Sequence, residues 1–221
     1  MNTVRVLAIF LVLMVFGSHL FADGKTREQF PLQLQVLSGN IGAGLSVGYN
    51  INKTVMFGVD ALSKSETAED TTYSGSTSNQ LTGTAELSTN LFYARFSTWE
   101  DSGFYLQLGA GSTDWLIEIT GPLYIGSFQT GYAYSSSTTL SFEWPKSATM
   151  VGLGWNWIGD SGFSGGLGIH SLSVGEPEVT ITDNTGTANA SQIEAEKEYW
   201  KDFGSYYASA SNIYVNIGWN F

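Results

Sequence analysis

From residue 31 to the C-terminus the chain repeats one pattern, in which apolar residues occupy every second position and small or polar residues fill the gaps. The last eleven residues, "SNIYVNIGWNF", set Ile213, Val215, Ile217, Trp219 and Phe221 against Asn212, Tyr214, Asn216, Gly218 and Asn220. "IGAGLSVGYNI" does the same, with Ile41, Ala43, Leu45, Val47, Tyr49 and Ile51 opposite Gly42, Gly44, Ser46, Gly48 and Asn50. After a tight "NINK" turn, "VMFGVDA" places Val55, Phe57 and Val59 opposite Met56, Gly58 and Asp60. "FYLQLGAG", "MVGLGWNW" and "GFSGGLGI" follow suit. A period of two over 8 to 11 residues is the signature of β-strands and fits no helix.

The face opposite the apolar one decides which β-fold this is. A water-facing strand surface would carry Lys, Glu and Thr. This face carries Gly, Ser, Asn and Tyr, which suits a narrow enclosed interior with the apolar face turned to lipid. Parity tests the idea. Short turns at 50 to 53, 97 to 103 and 158 to 162 alternate with long polar stretches at about 64 to 86, 118 to 140 and 175 to 210. If the short turns face the periplasm, "PLQLQVLSG" supplies the first upward strand and the count reaches eight: 31–38, 41–51, 54–63, 87–97, 103–117, 141–157, 162–174 and 211–221. Tyr49, Phe96, Trp99, Phe104, Trp157, Phe163, Trp219 and Phe221 then gather at the short-turn end as an aromatic girdle. The expected fold is an all-β, eight-stranded antiparallel transmembrane β-barrel with a short helix before the last strand.

Composition agrees with a lipid-covered surface. The 221 residues include 26 glycines and 14% aromatics but only 13% charged residues, against about 25% in an ordinary soluble domain. The start, "MNTVRVLAIFLVLMVFGSHLFADG", joins Arg5 to a short apolar run and small residues before a cut after Ala22. Residues 1–22 therefore read as a cleaved signal peptide and 23–221 as one barrel domain. Without Arg5 the mature chain keeps 8 Lys and Arg against 20 Asp and Glu. That balance excludes nucleic acid as a partner.

The signal peptide, the eight-strand alternation and the terminal "IYVNIGWNF" resemble the small outer-membrane β-barrels of Gram-negative-type bacteria, the OmpA/OmpX/OmpW-like group. In that family the C-terminal aromatic of the last strand is the recognition signal for the barrel assembly machinery. The resemblance therefore implies an assembly-signal role for Phe221, with Trp219 and Ile217 on the same face. It also implies outer-membrane lipid, the assembly machinery and periplasmic chaperones as partners, and residence in the outer membrane.

Chemistry is sparse. The expected lumen holds Asp60, Arg95, Tyr105, Gln107, Asn156, His170, Tyr214 and Asn216. Its many glycines either relieve crowding or leave room for a small solute or an acyl chain. His170 is the sole histidine of the mature chain and there is no cysteine, so no His-cluster or thiolate metal site and no cofactor is expected. "HSLS" invites comparison with outer-membrane lipid A deacylases, in which a Ser two residues after the His shares its strand face. Here that position is Leu172, and a bulge would be needed to bring Ser173 beside His170, with Glu176 as orienting acid. Tyr124, Phe128, Tyr132, Tyr134 and Trp144 form an aromatic loop suited to sugars or apolar partners, or else an outer aromatic belt. Glu66, Glu69, Asp70, Glu176, Glu178 and Asp183 read as a solvated acidic face. "ASQIEAEKEYWKDFGSYYASA" reads helical, with Ser191 as cap, Glu194 three residues on and Gly204 as stop. It serves as a lid on the barrel mouth or as a plug within it. The function expected is an integral envelope protein, structural or passing a small or hydrophobic solute, without enzymatic activity.

Overall fold

The computed structural model describes residues 24–74, 77–98 and 103–221. The expected signal peptide and Trp99 of the girdle lie outside them. A short helix, α1 (Gly24–Gln29), precedes ten strands: β1 (Leu32–Gly39), β2 (Gly42–Asn50), β3 (Val55–Ser74), β4 (Thr77–Ser97), β5 (Phe104–Ser127), β6 (Gly131–Glu143), β7 (Ala148–Ile158), β8 (Phe163–Ser173), β9 (Glu178–Asp183) and β10 (Ser209–Asn220), with α2 (Ala190–Ser205) before the last. Eight of these strands, β1 to β5, β7, β8 and β10, pair antiparallel in a closed ring. The seam is β1 on β10, running from Gln33 opposite Asn220 to Gly39 opposite Tyr214. The chain's last residue completes it: Phe221 N donates to Leu32 O at 2.7 Å and Leu32 N to Phe221 O at 3.0 Å.

The alternation read from the sequence becomes an outside and an inside. Leu34, Val36, Leu45, Val47, Leu108, Val151, Ile213, Val215 and Ile217 are exposed on the wall, while Gln33, Gln35, Ser46, Gln107, Asn212 and Asn216 are buried within it. Exposed apolar side chains on a closed sheet are what the hydrocarbon of a bilayer admits, because each wall strand is paired on both sides. The upper limit of this band is drawn by residues of one kind. Ser38, Ser63, Asn90, Thr149, Ser171 and Ser211 are exposed just above the uppermost outward apolar residue of their strands and form a small polar rim. No helix among the described residues is long and apolar enough to cross a membrane.

At the short-turn end, Asn52 shapes the β2–β3 turn by accepting the N–H groups of Thr54 and Val55 at 2.9 and 2.8 Å. The opposite end departs from the sequence reading in two ways. The polar stretches expected as loops at 64 to 86 and 118 to 140 are largely strand: β3 and β4 pair up to Ser74 and Thr77, and β5 runs on to Ser127 against β6. Threonine-rich segments favour extended backbone even without an apolar alternation. The expected strand 141–157 is two strands. Residues 141–143 belong to β6, which pairs with upper β5 and with β9, and the wall strand β7 starts only at Ala148. Pro145 lies in the break, where it lacks the N–H a central strand must donate.

Above the wall, β5, β6, β9 and α2 enclose an upward continuation of the core, with Leu140, Phe142, Trp144, Val179 and Ile181, and Ile193 and Trp200 of the helix packed against it. The helix cap is Asn189 with Gln192, two positions before the expected Ser191: Asn189 Oδ1 accepts from Gln192 N at 3.0 Å and Gln192 Oε1 from Asn189 N at 3.0 Å. An amide pair closes the capping box as a Ser–Glu pair would. Buried Glu196 ties the helix to the sheet, accepting Gly126 N–H at 3.1 Å and Trp200 Nε1–H at 2.8 Å.

Half-exposed Asp183 organises the link from β9 to α2. It accepts from Ser135 Oγ (2.6 Å), Ala188 N (2.7 Å), Thr185 Oγ1 (2.7 Å) and Thr185 N (3.0 Å). These donors, the Ser135 hydroxyl foremost, hold its carboxyl well below the usual carboxylate range. A depressed carboxyl contributes stability above its unfolded value, about 3.9, and loses it as pH falls below that value. Amide exchange at Ala188 and Thr185 is therefore expected to accelerate as pH falls below about 4 once intrinsic exchange is corrected for. Asp183→Asn should expose these amides already at neutral pH and flatten the dependence.

Candidate functional site: the barrel interior

The lumen is built from the inward-facing side of each wall strand. The sequence-assigned residues Asp60, Arg95, Tyr105, Gln107, Asn156, His170, Tyr214 and Asn216 all lie buried there. The structure links several of them. Tyr105 and Tyr214 share a hydroxyl–hydroxyl bond of 2.6 Å. The Arg95 guanidinium lies 4.1 Å from the Tyr105 ring centre and 5.2 Å from that of Tyr93, and its Nε donates to Gln107 Oε1 at 3.2 Å. Tyr93 meets Ser46 at 3.0 Å, and Gln35 donates to Asn156 at 3.3 Å and to Ser164 at 3.1 Å. Gln33 and Gln35 share this interior and are absent from the sequence-assigned set, although the alternation of "LQLQV" puts them on this face.

Tyr93 is absent from that set too, and with Tyr105 and Tyr214 it accounts for three of the glycines. A Cβ at Gly58 would lie 2.4 Å from the Tyr93 ring, one at Gly154 2.4 Å from the Tyr105 hydroxyl, and one at Gly168 2.6 Å from the Tyr214 hydroxyl. Gly58, Gly154 and Gly168 are thus the seats of three tyrosines. The barrel is therefore filled by three large rings set among amide, methionine and arginine side chains.

An apolar layer lies above the polar centre: Leu37, Ile41, Leu62, Leu91, Trp115, Ala148 and Leu172 are buried and belong to one cluster with Trp144 and Phe142. Helix α2 packs on β5, β6 and β9, so it is a part of the outer extension and not the plug that its sequence allowed. At the short-turn end the interior retains a pocket of about 10 Å³, room for roughly one water.

His170 sits in the upper lumen, 1% exposed, with Nε2 2.7 Å from Asn212 Nδ2 and its ring stacked on Tyr214 at 4.8 Å. Strand β8 holds unbroken register with both neighbours from 164 to 173, so no bulge turns Ser173 inward. Ser171 and Ser173 are both exposed on the outer face. The His–Ser–acid arrangement is thus not assembled at this position. Among the described residues no group of three His, Asp or Glu side chains is placed to hold a metal ion.

The aromatic loop divides. Tyr124, Phe128, Tyr132 and Tyr134 are exposed on the β5–β6 hairpin, with Tyr124 and Tyr134 paired at 5.0 Å. Trp144 is not part of that surface. It is 6% exposed, packed between Trp115 and Phe142, and donates Nε1–H to Tyr207 O at 3.2 Å. Its place beside Pro145, at the point where the chain re-enters the wall, turns it into the core. Ile217, Trp219 and Phe221 are exposed on the outer face of the closing strand.

Two crystal structures share this architecture. That of Acinetobacter baumannii CarO superposes with a TM-score of 0.59 at 12% identity over 87% of this chain and 99% of that one. This chain has the fold of a small outer-membrane β-barrel. The crystal structure of Acinetobacter baumannii CarO2 matches equally, with a TM-score of 0.59 at 14% identity over 87% of this chain and 99% of the other. No family model matches the sequence, and no curated protein matches it. At these identities what is shared is the path of the chain, and the interior network is argued from this chain's own residues.

Gly168→Ala tests this fit, because the three nearest atoms to its added Cβ belong to tyrosine side chains. The variant is expected to lose about 1 to 3 kcal/mol in urea unfolding followed by tryptophan fluorescence. The loss should shrink in a Tyr214→Leu background. An equal loss in both backgrounds would contradict the fit described.

Proposed function

We propose that the protein is an integral outer-membrane barrel with an envelope-structural role, non-enzymatic and closed through its lumen, that presents a folded β–α extension at the cell surface. The observation that carries this reading is the filled interior, with Tyr93, Tyr105 and Tyr214 seated on glycines beneath a continuous apolar layer. A passage for solutes needs a continuous path, and the tyrosine layer and the apolar layer both stand in its way. The exposed apolar wall and the short turns gathered at one end support insertion from the periplasm. Export by a cleaved segment at 1–22, outer-membrane residence, and recognition of Phe221, Trp219 and Ile217 by chaperones and the assembly machinery are parts of the same proposal.

A second reading concerns the surface. Tyr124, Phe128, Tyr132 and Tyr134 stand exposed on the hairpin and offer aromatic faces to a ligand of the adhesin type. Replacing all four by Ser should abolish surface binding and spare the barrel, if binding is their role.

Refolded protein without residues 1–22 is expected to give no discrete conductance steps in a planar bilayer. Deletion of 190–204 should remain silent, because α2 lies outside the wall. Discrete steps in the unmodified protein would overturn the closed reading.

A further inference from the structure

The upper β5–β6 hairpin is a charge-free platform on an acidic chain. From Ile119 to Phe142 no residue carries a charge, although the protein as a whole has 20 Asp and Glu and 9 Lys and Arg. Beyond the bulge between Gly121 and Leu123, Tyr124 pairs with Tyr134 and Gly126 with Tyr132, so the three tyrosines share one face, and Phe128 stands at the turn, 92% exposed. The opposite face is occupied. Ile125 is fully buried there, and α2 holds the hairpin through Glu196, which accepts Gly126 N–H at 3.1 Å, and Gln192 Nε2, which donates to Gly131 O at 3.4 Å. Ser127 and Thr130 fix the turn, each accepting the other's backbone N–H on its hydroxyl. The rings are thus held on a rigid, helix-backed hairpin, which spares the ordering cost that a loose loop would incur on binding.

Height separates this face from lipid. Tyr124 lies 12 residues beyond Ser112, which pairs with Asn90 of the polar rim. At about 3.3 Å per residue that is roughly 40 Å along the strand, against a headgroup layer of about 5 to 7 Å on each side of the hydrocarbon. Even a strand tilt of about 45° leaves the rings well above that layer. A charged ligand finds no counter-charge on the hairpin, and its exposed large apolar side chains are all aromatic. Exposed Gln129 and Ser136 add neutral donors and acceptors. Aromatic faces bordered by hydroxyls and amides match the two surfaces of a sugar, whose C–H face stacks on a ring and whose hydroxyls take hydrogen bonds. Resting on the surface-binding reading above, we propose that Tyr124 and Tyr134, paired at 5.0 Å, form with Tyr132 and Phe128 a binding platform for a neutral saccharide. Tyr132 and Tyr134 stand about 7 Å apart along β6, which suits linked sugar units rather than a single one.

The test is saturation-transfer difference NMR on the folded barrel in lauryldimethylamine oxide, a detergent without a sugar headgroup. The probes are maltohexaose, cellohexaose and chitohexaose, with hexagalacturonate as the charged control. At least one neutral hexasaccharide is expected to receive saturation from the protein, and hexagalacturonate none. Tyr124→Ser combined with Tyr134→Ser should reduce the transfer several-fold, with folding confirmed by heat-modifiable migration. If that variant does not fold, Phe128→Ser in the exposed turn should reduce it in part. No transfer to any neutral probe, equal transfer to hexagalacturonate, or a signal unchanged in a folded variant would overturn the proposal. Surface binding that is lost on replacing the four aromatics while no neutral probe binds would point to a protein partner, and would remove the saccharide but keep the surface reading.

Discussion

Every backbone N–H and C=O that enters hydrocarbon must be satisfied within the protein, and this requirement dictates most of what the chain does. A sheet meets it only by closing. The seam is thus the point on which the barrel depends, and it uses the chain to its last residue: Phe221 exchanges two hydrogen bonds with Leu32, and β10 stays in register with β1 up to Gly39. Closure fixes the face of each residue, because a shift of one would exchange the apolar and polar sets. The serine-rich ring from Ser38 to Ser211 then marks where the requirement ends, and beyond it β3 to β6 pair without forming a closed wall.

Closing eight strands leaves an interior only wide enough for side chains, and the remaining question is how that space is filled. This chain solves it asymmetrically. Three tyrosines lie over the glycines paired with them on the neighbouring strand, Tyr93 over Gly58, Tyr105 over Gly154 and Tyr214 over Gly168, while Arg95 lies against two of the rings. Large amphipathic rings suit such a space, since each fills volume while its hydroxyl serves the polar network where Ser46 or another tyrosine meets it. The apolar layer above and the buried polar groups below make the lumen a graded core, most polar towards the short-turn mouth.

The wall strands and their two faces are legible in the sequence because alternation with period two is a local signal that closure amplifies. Lumen positions follow from parity alone, which is why Asp60, Arg95, Gln107 and His170 lie where the alternation puts them. What the rings touch is not legible, since Gly58 meeting Tyr93 joins β3 to β4 and Gly168 meeting Tyr214 joins β8 to β10 across distances no local pattern encodes. The extension hides for a different reason. Upper β5 and β6 bury a face against β9 and α2 instead of against lipid, while residues 65–71 of β3 are exposed on both faces, so the threonine-rich pattern looks like loop. Pro145 is the one available sign that 141–157 breaks, and it also relocates Trp144 from surface to core.

The central claim is that tyrosine and glycine close the interior against water. Water-edited solid-state NMR of the unmodified protein in lipid bilayers tests it directly. The account predicts that magnetisation from water reaches the rings of Tyr93, Tyr105 and Tyr214 slowly, far behind exposed Tyr124 and Tyr132. Transfer to the three interior rings as fast as to the exposed ones would mean a water-filled pore, and would contradict it.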